Sequence, residues 1–168
     1  MKRGVFIILG LCLLLGPTGY SCAQGQFLFE NPLVGEQAPD FKLKTASGKE
    51  MSFSQTRENK PAIIFFWATW CPHCRQQLKV LNDGMAKIEE KGYKVVIVDI
   101  EEKAEDVKPY IEKNQIKAEV FLDEEGAVSG LYNLVGIPTF FFVDQNGKVE
   151  GSTHALPANY LETLGPKQ

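Results

Sequence analysis

The chain has 168 residues, 44% of them hydrophobic, enough for one well-buried core and too few for several large domains. Its net charge of -3, with no basic block or stripe, argues against nucleic acid as a partner and against a polybasic membrane surface. With 2 histidines and 4 cysteines in the whole chain, a metal centre has few ligands to draw on.

The N-terminus reads as an export leader over residues 1–23. Lys2 and Arg3 precede an apolar run at 5–15, which Gly16 and Pro17 break. The run is short for a membrane-spanning helix, so it serves as a signal peptide or as an uncleaved anchor. Ser21-Cys22-Ala23 offers a small-x-small cleavage site, and Cys22 is a second candidate, as a lipidated N-terminus. Residues 24–37 mix Gly, Pro, Asn and Gln and read as a linker into a domain at 38–168.

Segments 41–44 and 50–53 flank Thr45-Ala46-Ser47-Gly48-Lys49, the pattern of a β-hairpin turning at Gly48. Ala62-Ile63-Ile64-Phe65-Phe66-Trp67 is an uninterrupted apolar run, suited to a strand buried on both faces. Leu78, Leu81, Met85 and Ile88 then recur at spacings of three and four, which predicts a helix over 72–90 stopped by Gly92. A buried strand over 95–100 and a polar helix over 101–114 follow, the latter with Val107, Tyr110 and Ile111 inward. Short elements are expected at 119–122 (strand) and 124–133 (helix). The strand 139–143, the turn Asp144-Gln145-Asn146-Gly147, a returning strand 148–151 and a helix over 157–164 close the chain. This order predicts an α/β class, a three-layer α/β/α sandwich on a central mixed sheet.

The chemistry lies in Trp70-Cys71-Pro72-His73-Cys74, between the first buried strand and its helix. A cysteine at a helix start meets unpaired N–H groups and the positive end of the macrodipole, which favour thiolate over thiol. The second cysteine follows one turn later, placed to attack a mixed disulfide formed by the first. Cys12 and Cys22 belong to the leader, so Cys71 and Cys74 are the only cysteines of the domain. A two-residue spacer closes almost no chain and makes a poor staple, so the pair points to redox chemistry. A zinc site lacks the remaining ligands, since His73 sits inside the motif and His154 stands alone. Covalent haem attachment needs a histidine after the second cysteine, where Arg75 stands.

At these residues, and again at Gly136-Ile137-Pro138-Thr139, the chain resembles the thioredoxin superfamily. Val34-Gly35-Glu36-Gln37-Ala38-Pro39-Asp40-Phe41 and the material at 101–133 narrow the likeness to exported TlpA/ResA-like proteins. The resemblance implies a thioredoxin fold with an N-terminal hairpin, a short insert, and a cis peptide before Pro138. It also implies a thiol–disulfide oxidoreductase in the bacterial periplasm or cell envelope, soluble or anchored through its N-terminus. Cys71 would be the exposed nucleophile and Cys74 the resolving thiol. Pro72 and His73 would tune the thiolate; Trp70, Ile137 and Pro138 would dock substrate. No bound cofactor is implied, because electrons pass through the cysteines. Partners would be envelope protein thiols and disulfides, with a membrane or soluble redox partner.

Three positions depart from the family pattern. Gln77 and Lys79 stand where TlpA/ResA-like proteins commonly carry a glutamate and a proline, and Phe65 replaces thioredoxin's buried aspartate. Without those acids, proton transfer at Cys74 falls to water, the leaving thiolate or another side chain, which predicts slow reductase kinetics. Pro72-His73 resembles the pair in the exported oxidase DsbA and pulls towards an oxidising couple, whereas the scaffold resembles exported reductases. Two rival readings follow: a dedicated reductant for cytochrome c maturation, and a non-enzymatic metal-binding module. His154 reads as a surface residue.

Overall fold

The structure, a computed structural model, describes residues 31–164. The leader at 1–23, with Cys22, and the first part of the 24–37 linker lie outside the described residues.

A five-stranded sheet runs in the order β5-β4-β3-β6-β7. Its strands are β3 (Ala62–Trp67), β4 (Lys94–Ile100), β5 (Val120–Asp123), β6 (Thr139–Val143) and β7 (Val149–Thr153). The first three are mutually parallel; β6 pairs antiparallel with β3, and β7 with β6. Every residue of β3 is buried, as its unbroken apolar run requires of a central strand covered on both faces. Alternation along β3 divides the core. Ile63, Phe65 and Trp67 face one side, whereas Ala62, Ile64 and Phe66 face the other.

The first side carries α2 (Pro72–Asp83), α3 (Met85–Glu90), α4 (Ala104–Asn114) and α6 (Tyr160–Thr163). The second is covered by α1 (Phe53–Arg57), α5 (Ala127–Leu131) and the aromatic cluster of Phe41, Phe53, Phe121 and Tyr132. The hairpin β1 (Lys42–Lys44) and β2 (Glu50–Ser52) turns through Gly48 at φ +88° and bridges the sheet edge at Thr45–Phe121. This is the thioredoxin fold, with the N-terminal hairpin expected of it.

Four expectations change in detail. The single helix over 72–90 is two helices meeting at Gly84, because Tyr160 of α6 packs against that junction. A Cβ on Gly84 would lie 2.0 Å from the Tyr160 hydroxyl. The helix α1 was not anticipated: Ser52 caps it, accepting from Gln55 N while Gln55 Oε1 accepts from Ser52 N, in a capping box. The closing helix is one turn long, at Tyr160–Thr163, rather than spanning 157–164. The stretch expected to be linker is tied to the domain well before residue 38. Gly35 N donates to Val149 O, Val149 N to Glu36 O, and Gln37 bridges Lys148.

Candidate active site

Cys71 is the N-cap residue of α2, in extended conformation (φ -86°, ψ 109°), and Pro72 occupies the first turn, where its missing N–H costs nothing. The Cys71 sulfur accepts a hydrogen bond from Cys74 N at 3.2 Å, which directs a helix-terminal N–H at the reactive atom. The sulfurs of Cys71 and Cys74 are joined in a disulfide, with Cα atoms 5.2 Å apart. Cys71 is 6% exposed and Cys74 0%, so only the first sulfur has an edge at the surface. That is far less than the open nucleophile expected from the sequence; the flanking helix turn and the core cluster of Trp67 and Leu78 enclose it.

Trp70 is 61% exposed, a large apolar side chain standing beside the disulfide. His73 is exposed as well, and its ring makes no hydrogen bond to either sulfur among the described residues. The loop before Cys71 is held by Glu102, just after β4, whose carboxylate accepts from both Thr69 N and Thr69 Oγ1, each at 2.5 Å.

The Ile137–Pro138 peptide is cis, as the resemblance implied. Phe66 pairs with Thr139 across β3 and β6, so Pro138 lies opposite Trp67, at the strand end that leads into Cys71. Ile137 packs on the same core cluster as Cys71 and Cys74. Thus the two separated motifs meet at one end of the sheet.

One functional candidate, Asp99, is not among the residues singled out from the sequence, and two that are, Gln77 and His154, take roles the sequence does not show. Asp99 is fully buried on β4, in register with Trp67 and on the face that bears α2. Neither of its oxygens has a hydrogen-bond partner among the described residues, and nor has Trp67 Nε1. Burial, and then the nearby Glu102 and Asp106 charges, push the Asp99 carboxyl up to about 9, so it keeps its proton at neutrality. A buried acid is therefore present on the disulfide side of the sheet, displaced one strand and two residues from the Phe65 position. A lone acid inside Val95-Val96-Ile97-Val98-Asp99-Ile100 was the available signal. Gln77 is not free to serve the thiols, since its Oε1 accepts from Leu156 N at 2.8 Å and ties α2 to the loop after β7. His154 lies in that loop; exposed, it is nonetheless anchored, with Nδ1 2.8 Å from Pro138 O. No group of three or more metal-ligating side chains occurs among the described residues.

A family model for the AhpC/TSA family matches residues 34–152. The chain belongs to the AhpC/TSA family. Among relatives, it is 30% identical over 149 residues to the thiol-disulfide oxidoreductase ResA of Bacillus thuringiensis subsp. konkukian, covering 88% of this chain and 86% of that one. It is 33% identical to ResA of Oceanobacillus iheyensis over 144 residues, 80% of this chain and 74% of that one. A solved thiol:disulfide interchange protein of the thioredoxin family from Chlorobium tepidum superposes with a TM-score of 0.64 at 26% identity, covering 76% of this chain and 94% of that one. StoA of Bacillus subtilis, at 24% identity and a TM-score of 0.64, shares the fold over 76% of this chain and 96% of its own. In this AhpC/TSA chain the redox cysteines sit in a two-residue-spaced pair at a helix start, the arrangement expected of a thiol–disulfide oxidoreductase.

Proposed function

We propose that this chain is an extracytoplasmic thiol–disulfide oxidoreductase that exchanges disulfides with other proteins through Cys71 and Cys74. The observation that carries the reading is the bonded Cys71–Cys74 pair at the start of α2, with the Pro138 turn at the same end of the sheet. Similarity to proteins named thiol-disulfide oxidoreductase supports it. Export rests on the basic and apolar leader.

In the oxidising direction a substrate thiolate attacks Cys71 Sγ. The Cys71–Cys74 bond breaks, its electron pair leaves on Cys74 Sγ, and that thiolate takes a proton from water. A second substrate thiolate then attacks the substrate sulfur of the mixed disulfide, forming the substrate disulfide and expelling Cys71 as a thiolate. The helix N-terminus and the Cys74 N–H stabilise that departing charge. Reduction of a substrate disulfide runs the same steps backwards, with Cys74 resolving the intermediate. Cys71 is the sulfur engaged by substrate because Cys74 has no exposed surface.

Pro72-His73 weights the couple to the oxidising side of thioredoxin. A potential measured against a glutathione series divides an oxidant from a reductant, including the cytochrome c maturation reductant that a TlpA/ResA-like scaffold implies. The reading itself is tested by trapping. Cys74→Ser should accumulate a covalent adduct with a disulfide-bearing peptide that reductant releases, and Cys71→Ser should form none. Absence of any adduct with Cys74→Ser, together with a Cys71 thiol inert to alkylation, would sink it.

A further inference from the structure

His154 holds the cis-proline turn, and its protonation pattern follows from the bonds around it. Thr139 Oγ1 donates its one hydrogen to Gly136 O at 2.7 Å. The Pro138 carbonyl, 2.8 Å from His154 Nδ1, can only accept. Nδ1 therefore carries the hydrogen, donating to Pro138 O and facing a lone pair of Thr139 Oγ1 at 3.2 Å. The backbone at His154 is held on both sides. It follows the last residue of β7, and two residues on Leu156 N is tied to Gln77 of α2. The His154 side chain thus joins the Pro138 turn to a segment that is anchored at the end of β7 and, at Leu156, to the helix that carries the disulfide.

We propose that His154 is a positioning residue for protein substrates, holding the Ile137–Pro138 turn in the orientation that lets the Ile137 backbone pair with an extended substrate segment beside Cys71. The inference rests on the exchange reading above and adds the residue that sets docking. The reason is one of competition: a carbonyl on an open turn seeks a donor, and with Pro138 O satisfied internally the turn keeps one orientation before substrate arrives. A cavity of about 790 Å³, lined in part by Leu134, Val135, Thr139, His154 and Ala155, opens beside this contact, so the ring that holds the turn is reachable from the surface. The sulfurs are not its partners, and the intrinsic reactivity of Cys71 should not depend on it.

The test separates docking from sulfur chemistry by using two disulfides. An extended peptide containing a disulfide needs the docking edge; oxidised glutathione, which is short, needs it far less. His154→Ala should lower kcat/KM for the peptide about three- to tenfold, as loss of one hydrogen bond implies, mainly through KM. Its rate with oxidised glutathione and its Cys71–Cys74 potential should stay at the wild-type values. His154→Asn places a side-chain N–H where Nδ1 stood and should restore most of the loss. Equal losses on both disulfides, an unchanged peptide rate in His154→Ala, or an Asn variant no better than Ala would each overturn the positioning role alone. Failure of the wild-type protein to exchange with either disulfide would overturn the exchange reading and this inference with it.

Discussion

Asp99 shows how a single residue sets a property of the whole chain. Folding moves its carboxyl from an ordinary 3.8 up to about 9, chiefly because burial removes the water that would solvate the charge. Between those values the folded state keeps a proton that the unfolded chain has released. This group's contribution to stability is thus fully present below about pH 4, declines as pH rises, and levels off above about pH 9. Asp99→Asn should remove that slope. In urea unfolding the stability of the variant relative to wild type should rise by about 1–3 kcal/mol from pH 4 to pH 8, whatever constant offset the buried amide adds at both. A wild-type midpoint that rises between pH 5 and pH 8 while the variant's stays flat would contradict this assignment. Gln77 and Phe65 stand where the family carries acids; the buried acid of this chain is set on the disulfide side by the register of β3 and β4, and its one local sign is a lone acid inside an apolar strand.

At the scale of elements, the junction of α2 and α3 is where tertiary packing overrode a regular pattern. Apolar spacing from Leu78 to Ile88 runs on without a break, yet Gly84 interrupts the helix because Tyr160 lies against it and bonds Val80 O at 3.4 Å. The Gly84 φ is -82°, so an alanine there meets no backbone strain, only the Tyr160 hydroxyl. Gly84→Ala should therefore destabilise by about 1–3 kcal/mol, the usual cost of overfilling a packed site. Tyr160→Phe in the same chain should recover more than half of it. A double-mutant cycle by thermal unfolding reads the coupling directly; additive effects would mean that the clash is elsewhere. The capping box that starts α1 is, by contrast, local, carried by Ser52 and Gln55 alone.

For the whole molecule, the decisive quantity is the free-energy difference between its dithiol and disulfide forms. If the α2 N-terminus and Pro72-His73 stabilise the Cys71 thiolate, as the proposed function has it, the disulfide is the higher-energy state. The reduced protein should then be at least as stable to urea as the oxidised one. Replacing Pro72 by Gly together with His73 by Pro should lower the reduction potential by tens of millivolts, where 30 mV corresponds to about 1.4 kcal/mol. An oxidised form that is the more stable by several kcal/mol, with a potential indifferent to that double substitution, would place the chain among reducing proteins and deny the dipeptide its role. Measurement belongs at this scale because every contact around the sulfurs contributes to the difference.

The proline that faces the redox pair was legible through the family resemblance; by itself the sequence determined the strands, their order of appearance and the pair. These depend on local physics: apolar runs that must be buried, a cysteine at a helix start, turn residues at Gly48 and Gly147. Only the tertiary structure decided which groups stand beside the sulfurs. It drew Cys71 almost wholly under cover and committed Gln77 to Leu156. It also set Asp99 behind Trp67 and gave His154, a surface residue as expected, a bond to Pro138 O. Gln77 and Leu156 are 79 residues apart, Trp67 and Asp99 32 apart (99 minus 67), and His154 and Pro138 16 apart across the β6–β7 hairpin. Contacts of that reach are specified by strand register and helix packing, which no window of neighbouring residues contains.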